Sequence, residues 1–261
     1  MTYPYILTLI GAVLLFYLFR FWRNKKLTEI SSLEISHFSN IGFNNLNDDK
    51  AIDDLKKKIS SDGISVGEWK MMKFGIDIEI WIADILSNEF EFQPFFRGTK
   101  FQVKSEKSFQ VQKWEGFKLL TIDDDLELFA EMIPFDSTPK NIVFLTAFGV
   151  EVTLYDSVKS YETEVKSTFK KQIISLPYLR YLENQETAIP SAEIIISGTV
   201  KEHERKVNHE TGVEFWNVKI EVKENFILDA VWDYRLVDRF PQKGNVLVGN
   251  FYLFGSQEEL G

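Results

Sequence analysis

The sequence predicts an α+β, mainly β protein: a single N-terminal transmembrane helix, a central antiparallel β-rich domain with flanking helices, and a small β-barrel-like module of the OB kind at the C-terminal end. Three observations predict it. Between Ile64 and Asp156, and again between Ala192 and Gly255, apolar residues recur with period two in short runs parted by turn residues. Two other stretches, near 48–61 and 157–174, show helical spacing instead. Ahead of all of them stands one uninterrupted apolar run.

That run extends from Tyr3 to Trp22 and carries no charge before Arg20. Twenty residues in a helix rise about 30 Å, the thickness of a bilayer core. Tyr3 and Tyr5 at one end, and Tyr17 and Trp22 at the other, suit the two membrane–water interfaces, while Pro4 falls in the first turn, where no amide partner is lost. A cleaved signal peptide would need small residues after its apolar core, yet Arg20-Phe21-Trp22-Arg23-Asn24-Lys25-Lys26 follows. Residues 1–26 are therefore expected to be an uncleaved single-pass anchor embedded in the lipid bilayer through Tyr3–Trp22. Arg20, Arg23, Lys25 and Lys26 all lie on its C-terminal flank, so the N-terminus is expected outside and the rest of the chain in the cytoplasm.

Residues 27–47, rich in Ser and Asn, read as a tether, with His37 in solvent. The block 48–185 follows as the β-rich domain with two helices. Its first helix is expected over Asp48–Ser61, from the spacing of Ile52, Leu55 and Ile59, with Asn47 or Asp48 as cap and Asp62-Gly63 as stop. Lys56–Lys58 suit the negative end of its dipole. Alternating strands are expected in Ile76–Ile82, Phe90–Phe92, Phe101–Val103, Phe109–Val111, Phe117–Ile122, Leu126–Glu131, Ile142–Phe148 and Glu151–Tyr155. A second helix is expected over Ser157–Ile174, with Val158, Tyr161, Val165, Phe169 and Ile173 on one stripe, Asp156 as cap and Leu176-Pro177 as stop. Tyr178–Asn184 adds a turn or two.

Residues 186–261 then read as a module of their own after a linker around Pro190. Strands are expected at Ile194–Val200 with Lys201–Lys206, Val213–Val222, Phe226–Trp232 and Val246–Gly255; Asn208–Gly212 is a hairpin loop with Gly212 in the left-handed position. Four strands with one long connection suggest a Greek-key barrel.

The chain has no cysteine, which excludes disulfides, thiolate metal sites and a cysteine nucleophile. Of 30 basic and 39 acidic side chains, four basic ones lie in residues 1–26, leaving 26 against 39, or −13, on residues 27–261. Such a body repels phosphate backbones, so no nucleic acid is expected as partner. Cations do accompany aromatics in the last block, at Lys201, Arg205, Lys206, Lys219 and Lys223 beside Trp216, Phe226, Trp232, Tyr234 and Phe251, but alternation assigns most of those aromatics to the core. His203 and His209 with Glu204 and Glu210 lack metal-ligand spacing, and Asp123-Asp124-Asp125 lacks the alternating frame of a calcium loop and reads as a polar turn. Glu164-Val165-Lys166 and Glu221-Val222-Lys223 are chance matches to a nuclease tripeptide. No phosphate loop, dinucleotide fingerprint or Gly-x-Ser-x-Gly occurs, so no cofactor, metal site or catalytic residue is assigned.

What remains is a membrane-anchored, cytoplasm-facing interaction or scaffold protein with a protein partner. Its expected docking surfaces are the lysine face of the second helix, Lys159, Lys166, Lys170 and Lys171, and the edges of the C-terminal module. Two alternatives carry their own signatures. An immunity-type protein would neutralise a basic toxin at the membrane through its acidic surface. A metal-dependent enzyme would use Asp123–Asp125 or the His203/His209 pair.

Overall fold

The computed structural model describes residues 37–44, 46, 48–86, 89–111, 115–123, 126–138, 140–185 and 190–257. The anchor expected at 1–26, with its interface residues Tyr3, Tyr5, Tyr17, Arg20, Trp22, Arg23, Lys25 and Lys26, lies outside the described residues. Among those described, no helix is long and apolar enough to cross a membrane.

Helix α1 spans Asp49–Asp62. Asp48 caps it, its Oδ1 accepting from the Lys50 amide at 3.1 Å, and the Gly63 amide closes it on the Ile59 carbonyl. Its buried stripe, Leu55 and Ile59, packs on an antiparallel meander of β1 (Ile64–Val66), β2 (Trp69–Lys73), β3 (Ile78–Leu86) and β4 (Glu89–Phe96). Ile76, expected to open a strand, stands 89% exposed in the turn before β3. Inside β3 the consecutive Ile80, Trp81 and Ile82 are all buried, so the strand is covered on both faces. Its alternating acid therefore needs partners: Glu79, fully buried, accepts from the Trp81 indole at 3.1 Å and from Arg97 Nε at 2.7 Å.

The second sheet holds ten strands. They are β5 (Thr99–Gln102), β6 (Ser105–Gln110), β7 (Gly116–Asp123), β8 (Leu126–Met132), β9 (Ile142–Tyr155), β10 (Gln172–Ser175), β11 (Glu193–Val207), β12 (Glu214–Lys223), β13 (Phe226–Asp233) and β14 (Val246–Ser256). Strands β11, β12, β13, β9 and β14 pair in that order, and β14 pairs again with β11, which closes a five-stranded barrel. All its pairings are antiparallel except β13 with β9. A barrel this narrow needs bends and close approaches. Bends come where Val150 is the extra residue of β9 opposite β14, and where Lys201 is skipped between β11 and β12. Close approach comes at Gly249, where a β-carbon would stand 2.1 Å from the Glu151 carbonyl oxygen.

Four barrel strands come from residues 190–257, and the fifth, β9, from the block expected at 48–185. The interior is filled by side chains such as Leu145, Leu154, Ile196, Val218, Leu228, Trp232 and Leu253. The outer face is apolar too: Phe148, Phe215, Val231 and Phe254 belong to the core under the β1–β4 sheet. Phe215 and Trp216, adjacent in β12, serve different cores. Strands β6–β8 extend the barrel past β14, to which β8 pairs in parallel at Phe254 and Gly255.

Two expectations are corrected. The second helix, α2, is Val158–Val165, capped by Ser157 rather than Asp156; Lys166 takes φ 55° and ends it, and residues 172–175 add β10 to the edge of β11. The apolar stripe still packs, because Tyr161, Val165 and Phe169 lie against Tyr155 and Val246, but Ile173 and Ile174 gain a sheet partner that a longer helix would forfeit. Leu176-Pro177 starts rather than stops a helix: α3, Leu176–Glu183, carries proline in its first turn and Ser175 as cap.

The lead-in belongs to the fold from His37 onward. Ser39–Ile41 form a buried 3-10 turn. Asn40 Nδ2 donates to the Gly149 carbonyl at 2.9 Å, and its Oδ1 accepts from the Asp233 amide at 3.0 Å. Asn208 Nδ2 and Thr211 Oγ1 donate to the carbonyls of Ile41 and Gly42. The Asn40 amide thus joins β9 to the end of β13.

Replacing Asn40 by Ala leaves a buried carbonyl and a buried amide unpaired, and should lower unfolding free energy by about 1–3 kcal/mol, read from the denaturant midpoint. A fragment of residues 186–261 lacks β9, the shared partner of β13 and β14, and should show no cooperative thermal transition by circular dichroism.

Candidate functional site

The residues singled out in the sequence do not converge. Lys159 is exposed on α2, Lys166 is its left-handed cap, and Lys170 and Lys171 lie beyond the helix, so the four share no helical face. Lys171 and Lys201 both contact Glu221, the latter at 2.9 Å. The other cations of the barrel are engaged as well: Lys219 with Glu202 at 2.9 Å, Lys206 with Asp77 at 2.8 Å, and Arg205 with Glu214. Opposite charges facing one another across β11 and β12 favour the pairing, and they neutralise the stripe on which a polyanion would lie. His203 is exposed in mid-strand and His209 at the hairpin tip. Asp123 ends β7, and Asp124 and Asp125 lie outside the described residues. Among the described residues no three His, Asp or Glu side chains are grouped to hold a metal ion.

A cavity of about 530 Å³ opens between α1, the lead-in and the β11–β12 hairpin. Phe43, Leu46, Leu55 and Val213 line it, and Lys58 reaches from α1 to Glu210 on the hairpin at 2.6 Å. Its size falls in the range of small-molecule sites. None of its lining residues belongs to the strongest electrostatic perturbation among the described residues, which lies elsewhere.

That perturbation surrounds Glu131, near the end of β8. The residue is 7% exposed, and its carboxyl accepts hydrogen bonds from the Tyr252 hydroxyl of β14 and from Gln93 of β4. Burial pushes its pKa up to about 7, and the nearby carboxylates of Glu115 and Glu91 add to the rise against the two hydrogen bonds. Burial also raises Glu91 and drives the Tyr252 hydroxyl far up. Against Tyr252 stands His37, its ring 4.9 Å from the tyrosine ring, 5.2 Å from Phe254 and 6.3 Å from Phe148. Burial among these aromatics lowers the imidazole to about 4. His37 is thus a neutral packing residue, not the solvated side chain expected of a tether.

Alternation in the sequence marks Glu131 only as a strand end. The readable signal is Leu128-Phe129-Ala130, which interrupts the alternation of β8: where both faces of a strand are apolar both are covered, and the next carboxyl is buried whichever way it points. A second buried charge behaves differently. Lys118 of β7, fully enclosed, donates to Glu106 Oε1 at 2.7 Å, Gln257 Oε1 at 2.8 Å and the Thr138 carbonyl at 3.0 Å. Gln257 Nε2 closes the loop on Glu106 Oε2. Three ammonium protons meet three acceptors, which makes this a structural clasp between β6, β7 and the end of β14.

The two perturbed groups tilt stability in opposite directions. Glu131 has its pKa raised on folding from 4.5 to about 7, so it contributes stability below 4.5 that is lost as pH rises through 7, about 3 kcal/mol in all. His37 is lowered from 6.5 to about 4, so it contributes stability above 6.5 that is lost as pH falls through 4, again about 3 kcal/mol. Between pH 4.5 and 6.5 the slopes offset each other. Glu131→Gln should gain on the natural chain as pH rises from 5 to 8, and His37→Phe should gain as pH falls from 7 to 4. Denaturant midpoints across that range would show the opposite slopes, and parallel curves would contradict the assignment.

No protein-family model, curated protein or solved structure matches this chain.

Proposed function

We propose that this chain is a non-enzymatic interaction module held at a membrane by Tyr3–Trp22, with its N-terminus outside and residues 27–261 in the cytoplasm. The observation that carries the reading is the apolar run of bilayer length, flanked by basic residues on its C-terminal side alone. The character of the fold supports a binding rather than a catalytic role. Its most perturbed carboxyl is sealed among Tyr252, Gln93 and neighbouring strands, apart from the cavity, and its buried lysine is spent on internal acceptors. A catalytic acid or base must instead reach a proton on its substrate.

The partner is a protein. Exposed Lys159, Lys166 and Lys170 around α2 offer contacts to its carboxylates, while the −13 body as a whole favours basic surfaces and speeds their approach. Lys171, engaged by Glu221, is the weakest of the four docking residues.

Protease added to intact cells or spheroplasts should leave residues 27–261 whole until the membrane is permeabilised, and removal of residues 1–26 should shift the protein to the soluble fraction. Digestion from outside in unpermeabilised cells would reverse the orientation; sedimentation with membranes after the deletion would remove the anchor from its role.

A further inference from the structure

One end of the barrel carries a group of apolar side chains that the fold leaves uncovered. Val150, the extra residue of the β9 bulge, is 49% exposed; Tyr234, opening the 3-10 turn after β13, is 42% exposed; and Phe240, in the connection to β14, is 63% exposed. They share one neighbourhood. The Phe240 ring meets Trp216 edge-on with centroids 5.6 Å apart, and Trp216 is the cross-strand partner of Trp232. A β-carbon built on Gly149, next to Val150, would lie 2.7 Å from Trp232 and 3.4 Å from Leu236, two residues beyond Tyr234. The guanidinium groups near the patch are each paired with a carboxylate, Arg205 with Glu214, Arg235 with Asp233 and Arg239 with Asp156 at 2.8 Å, so the apolar side chains are its distinguishing feature.

The position of the patch says what covers it. The first described residues, from His37 to Asn40, are fastened to the barrel at this same end. Asn40 binds the Gly149 carbonyl and the Asp233 amide, and Val150 and Tyr234 are the very next residues. Only fourteen residues, 23–36, lie between Trp22 and the first described residue. Aromatic and branched apolar side chains are the composition that settles at a headgroup boundary, where apolar atoms enter the interface. We propose that Val150, Tyr234 and Phe240 form a second membrane contact, resting this end of the barrel on the lipid surface. The inference builds on the membrane reading above.

Because the chain has no cysteine, single cysteines can be introduced cleanly. Phe240→Cys, Val150→Cys, Leu182→Cys and Val13→Cys are each labelled with an environment-sensitive fluorophore. Each full chain is then reconstituted in phosphatidylcholine vesicles at about one chain per vesicle, a dilution that disfavours self-association. Leu182, 57% exposed on α3, is the control for an apolar side chain away from the patch. Lipid carrying a spin label on its headgroup should quench positions 240 and 150 and leave 182 bright. Equal emission loss at 240 and 182, or none at 240, overturns the proposal. So does shielding of position 240 from aqueous iodide that appears only when chains are crowded in one vesicle, since a second copy then covers the patch. Lipid labelled in its acyl chain reads Val13: no quenching there overturns the membrane reading and this one with it. Quenching at 13 without quenching at 240 or 150 removes the second contact and leaves the anchor standing.

Discussion

Two rows of backbone hydrogen bonds on β9, one to β13 and one to β14, close the barrel, and the rest of the molecule is arranged around that closure. The strand also pairs with β5 at its start and receives Asn40 at Gly149, so four separate parts of the chain meet on it. Phe148 carries it into the second core, where Phe215, Val231 and Phe254 join it from neighbouring strands. Closure leaves the barrel without a free edge, and the apolar outer face then requires a cover. The β1–β4 sheet and α1 supply one, which is why residues 37–257 fold around two large cores that share the same strands.

Covering both faces of so many strands forces charge indoors, and the protein handles each case locally. Glu79 is bonded by Trp81 and Arg97, Asp233 by Arg235 and its own turn, and Lys118 by three acceptors. Each of these exchanges hydration for hydrogen bonds of good length, so the enclosed charge stays compensated. Asp229 and Glu131 are the exceptions, both carboxyls being raised by burial, and Glu131 is the more extreme. The charged groups that act on it, Glu115 and Glu91, are acidic, and it stays protonated where an ordinary carboxyl is ionised. With His37 held neutral one aromatic ring away, the seam between the lead-in, β4, β8 and β14 is the part of the fold most responsive to pH.

The same arrangement bears on the proposed role. Ion pairs across β11 and β12 leave that wall electrically quiet, whereas the barrel end near Asn40 exposes apolar surface close to the first described residues, His37–Asn40. A module tethered to a bilayer has reason to keep such surface at its entry point, because lipid can cover there what water would otherwise wet. Of the lysines around α2, Lys159 and Lys166 belong to the helix and its cap, packed through Tyr161 on Tyr155, and with Lys170 they remain open to solvent, while Lys171 is held by Glu221.

Local patterns were sufficient for most elements. Period-two alternation located β7, β8, β13 and β14 closely, Asp48 and Gly63 bounded α1 within a residue, and Asn208–Gly212 turned the hairpin as its composition requires. Each of those choices is decided by neighbours within a few residues, through capping, turn geometry or facial burial. Helix α2 was overestimated because Ile173 and Ile174 continue a helical stripe, while the open edge of β11 offers them a full row of hydrogen bonds. Lead-in residues 37–43 read as tether because Ser and Asn suit solvent; nothing nearby in the chain reveals that Gly149 and Asp233, more than a hundred residues away, present the groups Asn40 binds. Likewise Glu131 gains its environment from Tyr252, Gln93 and Glu115, which meet only after the barrel has closed. The sequence by itself determined the mainly β character, the turns and the apolar N-terminal run, all properties of contiguous residues. Tertiary structure alone decided that β9 completes the barrel, that His37 and Glu131 are buried, and that Val150, Tyr234 and Phe240 share one end, because contacts between distant segments depend on strand order, which periodicity does not encode.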